Sequence, residues 1–272
     1  MTNLYGLNAN FFKEPSVDKW KTALNAGFTE AEMAINDHKD RDIKKYLAPA
    51  EVQYDLLVKA GINPSSFHLP YGGYVDISGP GDQIAENAIK MNMQILDWVG
   101  MKRIGLAVLH ASFEPIPPEE RPSRFARAVE SIKILGDYAK QKNIVLAIED
   151  LPRTCLGNCA DEVLQLTNHG KNASICFDVN HLLVEHQRDF MAKAAQYIVT
   201  THFSDYDRQD EKHWFPGDGV IDWKELIGLF EKAGYKGRYI FEINEDSSPK
   251  KKQKITPAEL VSRFREISSS NN

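Results

Sequence analysis

The chain has 272 residues, 42% of them apolar and 26% charged, and a formal net charge of −5. This is ordinary globular material with enough length for one large core. The acidic balance excludes a general attraction to nucleic acid or anionic membrane, and no stretch approaches the roughly 20 consecutive apolar residues that a membrane span requires.

In chain order, short apolar runs alternate with longer segments whose apolar residues recur at three- and four-residue spacing. The N-terminal MTNLYGLNANFFKEP has no basic segment followed by an apolar run, so no secretion signal is expected and the expected compartment is the cytoplasm. Its first run, NLYGLNANFF, leads into a helical pattern that Gly27 closes, and FTEAEMAI leads into one closed by Gly61. SSFHLPYG, RIGLAVLHAS, IVLAIEDL, SICFDVNH and YIVTTHFSDY follow, each with a helical pattern behind it. Asp222 with Glu225 reads as a capping box ahead of Trp223, Leu226, Ile227, Phe230 and Ala233, with Gly234 as the stop. RYIFEIN is the last run, and Thr256, Pro257 and Glu259 open the last helix. The odd cysteine count, Cys155, Cys159 and Cys176, points to reduced thiols; Cys155 and Cys159 make only a lone C-x3-C, a weak zinc motif without a second pair.

Eight run-then-helix units in 272 residues predict a single-domain (β/α)8 TIM barrel spanning residues 1–272. An open doubly wound sheet is the rival, but no G-x-G-x-x-G follows the first run. In a barrel of this kind the carboxyl ends of all strands converge on one mouth. The strand ends give His68, His110, Glu149, Asp178 with His181, His202 with Asp205, and Glu242. Each alone is unremarkable in a loop. Together they are residue types that bind divalent metals, and Glu149 and Glu242 each end an apolar run where a carboxylate is costly unless paired or metal-bound.

The motifs AIED, CFDVNH, HFSDYDR, PGDGVIDW and FEIN resemble those of the xylose isomerase-like TIM barrels, in particular the sugar phosphate isomerase/epimerase group with its ketose 3-epimerases, hydroxypyruvate isomerase and inosose dehydratase. The resemblance runs from about the third strand to the eighth. It implies that Glu149, Asp178, His202 and Glu242 bind one divalent cation, that His181 and Arg208 hold the sugar, and that the substrate is a small sugar or related carbonyl compound. The ligand set makes sense on its own. Moving a proton next to a carbonyl needs a base, an acid and something to hold enediolate charge, which a cation does as a Lewis acid. Glu149 and Glu242, from different strands, can address two faces of the sugar as the acid/base pair. Mn, Mg, Co and Zn all suit such a set.

Glu211 and His213, with His68 and His110, resemble the additional ligands of trinuclear-zinc abasic-site endonucleases of the same superfamily. The acidic chain argues against a phosphate-rich partner, so no nucleic acid is expected, and these four residues are expected to line the sugar site. The lysine run SPKKKQK is expected to be solvated. Phe67, Tyr71, Trp214 and Phe215 stand near the mouth, either against a sugar face or in the lid core. The leading expectation is a metal-dependent sugar isomerase or epimerase. A dehydratase or lyase acting on a keto-sugar or keto-inositol through the same site is the alternative, with the nuclease third. No membrane partner is expected, and a homo-oligomer stays open.

Overall fold

The computed structural model describes residues 4–35 and 42–269. Asn3, where the first run was taken to begin, and the outermost residues of the 1–272 domain lie outside the described residues.

Eight strands alternate with eight α-helices: β1 Leu4–Asn8, α1 Val17–Ala26, β2 Phe28–Ala34, α2 Ile43–Ala60, β3 Asn63–His68, α3 Asp82–Met101, β4 Leu106–His110, α4 Arg121–Gln141, β5 Val145–Glu149, α5 Ala160–Leu166, β6 Ser174–Asp178, α6 Gln187–Ala194, β7 Ile198–Phe203, α7 Trp223–Lys232, β8 Arg238–Phe241 and α8 Pro257–Ser268. Every neighbouring pair is parallel, and β8 returns to β1, so the sheet is a closed barrel in sequence order. The expected (β/α)8 architecture is therefore the observed one.

The helix boundaries follow the local chemistry. Gly27 and Gly61 cap α1 and α2 in the left-handed region, at φ 109° and 85°, where a side chain would be strained. Thr256 and Glu259 make a full capping box on α8. Asp222 accepts from the Glu225 N–H, but the reciprocal half of the expected box is missing, because the Glu225 carboxylate accepts from Arg188 on α6 instead. A charged partner competes well with a backbone N–H.

Strand alternation decides what the barrel encloses. Phe67, Ile148, Ile175, Phe177 and Phe203 turn outward into the core between sheet and helices. Their neighbours turn inward: Leu106, Val108, Ala147 and Cys176 form a separate apolar layer inside the barrel. The same parity continued toward the carboxyl ends puts His110 above Val108, Glu149 above Ala147 and Asp178 above Cys176. At the other end of the barrel, Arg238 and Asn63 both donate to Glu30 Oε2 at 3.0 Å. A polar cup thus stands on an apolar floor.

Candidate active site and metal centre

His68, His110, Glu149 and Asp178 are the last residues of β3, β4, β5 and β6; His202 is the penultimate residue of β7, and Glu242 directly follows β8. Glu149, Asp178, His202 and Glu242 each bring one donor atom to a common locus, all within 4.8 Å of one another. His202 Nδ1 is 3.1 Å from Glu149 Oε1, 3.0 Å from Glu242 Oε2 and 3.9 Å from Asp178 Oδ2. Its proton serves Glu149, and Asp178 Oδ2 and Glu242 Oε2 are buried acceptors with no hydrogen-bond donor. Two orphaned carboxylate oxygens and a ring nitrogen pointed at the same spot are the donor set a divalent cation satisfies, so the residues fit the expected group.

The electrostatics follow from crowding. Burial works against ionisation of Glu149, but His202 and His110 outweigh it and hold its carboxyl well below the usual range. Glu242 is likewise held low, burial being outweighed by His202 and His213. Asp178 has no such surplus of cations: burial, then Glu242 and Glu149, push it up to about 7 against the pull of His181 and His213. Burial also opposes charge on His202, yet Cys176 and the carboxylates of Glu32, Glu242 and Glu149 keep its pKa well above the ordinary value.

The other expected residues divide by what they touch. His68 and His110 both donate to Glu149 Oε2, at 3.0 and 3.1 Å, which leaves Oε1 for the common locus. His68 is raised to about 9, its bond to Glu149 overcoming burial, whereas burial lowers His110. His181 donates from Nδ1 to the Asp150 carbonyl at 2.7 Å and turns Nε2 toward Asp178 Oδ2 and Glu211 Oε1, at 3.5 and 3.8 Å. His213 Nε2 donates to Glu211 Oε1 at 3.0 Å, so His181, Glu211 and His213 form a second convergent group, and His68, Glu149 and His202 a third. Glu211 is held far below the ordinary carboxylate range; burial opposes this, and His181 and His213 prevail.

A cavity of about 780 Å³ opens beside the cluster, lined in part by Asn8, Asn10, Tyr71, His213, Glu242 and Asn244. His68, His110, His181 and Glu211 are not among its lining residues. Arg208, at φ 62°, donates to Gln187 Oε1 and lines a different cavity of about 510 Å³. The arginine beside the cluster is Arg153, which donates to Glu114, Asp210 and Glu211 and ties three loops together. Among the aromatic residues, Phe67 and Phe215 are fully in the core, as strand parity requires of Phe67, while Tyr71 is exposed and stacks on His110 at 4.7 Å. Lys250, Lys251 and Lys254 pair with Asp218, Glu259 and Glu245.

Two neighbours of the cluster, Glu32 and Asp150, escaped the sequence reading, and Asp205, which it named among the strand ends, has another role. Glu32 on β2 accepts from His202 Nε2 at 2.7 Å. Asp150 accepts from the Asp178 N–H, and burial pushes its carboxyl well above the ordinary value. Asp205 is no ligand: it accepts from the N–H groups of Tyr206, Gly217 and Ile221 and from Trp223 Nε1, and so organises the loop that carries Glu211 and His213. That loop passes so close that a Cβ on Gly219 would lie 2.1 Å from the Tyr206 carbonyl oxygen. Neither Cys155 nor Cys159 belongs to a metal-type group among the described residues.

The chain is a closed parallel barrel with a carboxylate–histidine cup at its carboxyl mouth that could hold a metal ion, and residues 20–263 match the family model described as xylose isomerase-like TIM barrel. The chain belongs to that family. Among named relatives, it is 27% identical to D-psicose 3-epimerase of Agrobacterium fabrum over 228 residues, covering 79% of this chain and 75% of that one. It is 25% identical to inosose dehydratase of Lacticaseibacillus casei over 150 residues, covering 47% and 50%. Among solved structures, the fold is shared with a D-tagatose 3-epimerase-like protein at a TM-score of 0.78 and 17% identity, covering 97% and 98% of the two chains.

Proposed function

We propose that the chain is a divalent-metal-dependent epimerase that inverts a carbon next to the carbonyl of a ketose. The observation that carries this reading is the meeting of Glu149 and Glu242 with Asp178 and His202 within 4.8 Å at the barrel mouth. The similarity to D-psicose 3-epimerase over most of both chains supports the same chemistry.

Glu149, Asp178, His202 and Glu242 would hold Mn, Mg, Co or Zn, which when bound supplies Lewis acidity to the carbonyl and its neighbouring hydroxyl. Glu242 lines the cavity, with about a quarter of its side chain exposed (24%), so its carboxylate can reach a C–H bond of a sugar lying there. Glu149 is deeper, at 1% exposure, with Oε2 fixed by His68 and His110; Oε1 is directed at the locus and can exchange a proton from the other side. Both carboxyls are held below the usual range, so either can act as the base; inversion requires the other to take a proton from solvent beforehand and return it to the opposite face. His213 and Tyr71 line the cavity, where Tyr71 offers a ring face to a sugar. Arg208, engaged with Gln187, takes no part in this proposal.

The test is incubation of the protein with each cation in turn and with D-psicose, D-tagatose and D-fructose. The expected result is interconversion of 3-epimers that chelator abolishes. Turnover that survives complete metal removal, or dehydration of an inosose without epimerisation of any ketose, would overturn the proposal. One observation favours a second reading: the flanking groups His68–Glu149–His202 and His181–Glu211–His213 could hold further ions, as a polynuclear phosphodiester hydrolase requires.

A further inference from the structure

Three histidines at the mouth hold a ring nitrogen within 2.8 Å of an oxygen acceptor. His68 Nδ1 is 2.8 Å from the Leu69 carbonyl oxygen, His181 Nδ1 is 2.7 Å from the Asp150 carbonyl oxygen, and His202 Nε2 is 2.7 Å from Glu32 Oε1. A carbonyl or carboxylate oxygen only accepts, so in each case that nitrogen carries a proton. His202 differs from the other two because its anchor is a carboxylate. Glu32 has no solvent exposure, and its second oxygen accepts from Ser66 Oγ at 2.8 Å. Both of its oxygens are therefore occupied, and its orientation is fixed.

The pairing is not a by-product of sheet register. Glu32 and His202 are 170 residues apart, and β2 and β7 are separated in the barrel by β1 and β8, so the bond crosses the interior between strands that share no ladder. A buried carboxylate is costly without partners, and here both oxygens have one, Ser66 and His202. Its geometry selects one tautomer of one ring. Once a cation has displaced the Nδ1 proton, the proton that remains is the one on Nε2, and the lone pair of Nδ1 faces the locus shared with Glu149 Oε1, Glu242 Oε2 and Asp178 Oδ2.

We propose that Glu32 is the positioning residue of the cation site: it fixes the His202 proton on Nε2, makes Nδ1 the donor atom, and lends that nitrogen basicity through its own charge. The inference rests on the cation reading given above. Removal of such an anchor typically costs about 10- to 100-fold in metal affinity. In Glu32→Gln the amide oxygen can still accept from Nε2–H, with the NH2 group turned to Ser66 Oγ, so the tautomer is kept and the charge is lost. In Glu32→Leu the acceptor is gone and neither nitrogen is preferred.

The experiment uses the full chain with Zn2+ as probe, combining calorimetric affinity with long-range 1H–15N NMR of the His202 ring, which identifies the protonated nitrogen. The wild type should show Nε2–H with Nδ1 bound. Glu32→Gln should keep that pattern and bind Zn2+ roughly tenfold more weakly, and Glu32→Leu should lose the pattern and weaken roughly a hundredfold. A purely structural role would lower the melting temperature of the variants and leave both readouts where they were. Should Glu32→Leu fail to fold, Glu32→Gln decides: affinity within twofold of wild type overturns the inference. A wild-type protein that binds no Zn2+ would remove the cation reading itself, whereas tight wild-type binding with unchanged variants would remove only the role of Glu32.

Discussion

Cation binding should weaken steeply on acidification, and the structure sets the slope. Asp178 is pushed up to about 7, burial being the chief cause, so below that pH its carboxyl holds a proton that a cation must displace. The His202 ring is raised well above the ordinary value, which favours a second proton on Nδ1 that a cation must also displace. Glu149 and Glu242 are held low and give up none. Each displaced proton changes the apparent dissociation constant about tenfold per pH unit. The sign is fixed: affinity falls as pH falls, with a slope of about two decades per unit below pH ~7 and about one above it. Between pH 7.5 and 5.5 the dissociation constant for Mn2+ should rise roughly three-thousandfold. Calorimetry in buffers of different ionisation enthalpy counts the released protons directly. Asp178→Asn, which has no proton to lose, should bind more weakly but show the single-proton slope throughout. Binding that releases no proton, or is flat across this range, would refute the assigned ligands.

Asp205→Ala should unsettle the loop behind the site, because it strips the acceptor from Trp223 Nε1 and three backbone N–H groups. At about 1.5 to 3 kcal/mol for each bond to a charged group that stays buried, two such losses give about 3 to 6 kcal/mol, or roughly 10 °C in melting temperature; a drop under about 2 °C would show that Asp205 does not organise the loop. Burial pushes the Cys155 thiol up to about 12 and Cys176 well above its ordinary value, so neither should react with a thiol reagent at pH 7.5, while unfolding should expose three; rapid labelling of either in the native protein contradicts the packing. Metal analysis should give about one ion per chain and no nicking of abasic DNA, and about three ions with nicking would favour the polynuclear reading instead.

Much of this architecture is written locally. The eight apolar runs and the caps at Gly27, Gly61 and Thr256 are short-range signals, and the barrel turns strand ends into a single list, which is why Glu149, Asp178, His202 and Glu242 could be named before any coordinates. Glu32 was legible too, since FTEAEMA carries glutamates two apart on one strand face, but it reads as solvated unless that face is known to be the barrel interior. Arg208 shows how far a loop can carry a side chain from the place its spacing suggests. Its spacing from His202 matched, yet the loop leaves β7 under the direction of the Asp205 network and of left-handed residues at Arg208 and His213, and the guanidinium ends at Gln187. Phe67, left open between sugar face and core, takes the core alternative: adjacent to His68, it must face the other side of the strand.

The central claim is that Glu149 and Glu242 move the proton, and turnover in D2O tests it most directly. The metal-loaded wild type, given a ketose it epimerises, should place deuterium on the carbon next to the carbonyl. Glu149→Gln and Glu242→Gln, with metal content measured alongside, should each lose about 10²- to 10⁴-fold in rate and in deuterium incorporation. If both variants keep their metal, their full rate and the wild-type deuterium pattern, the epimerase account is contradicted.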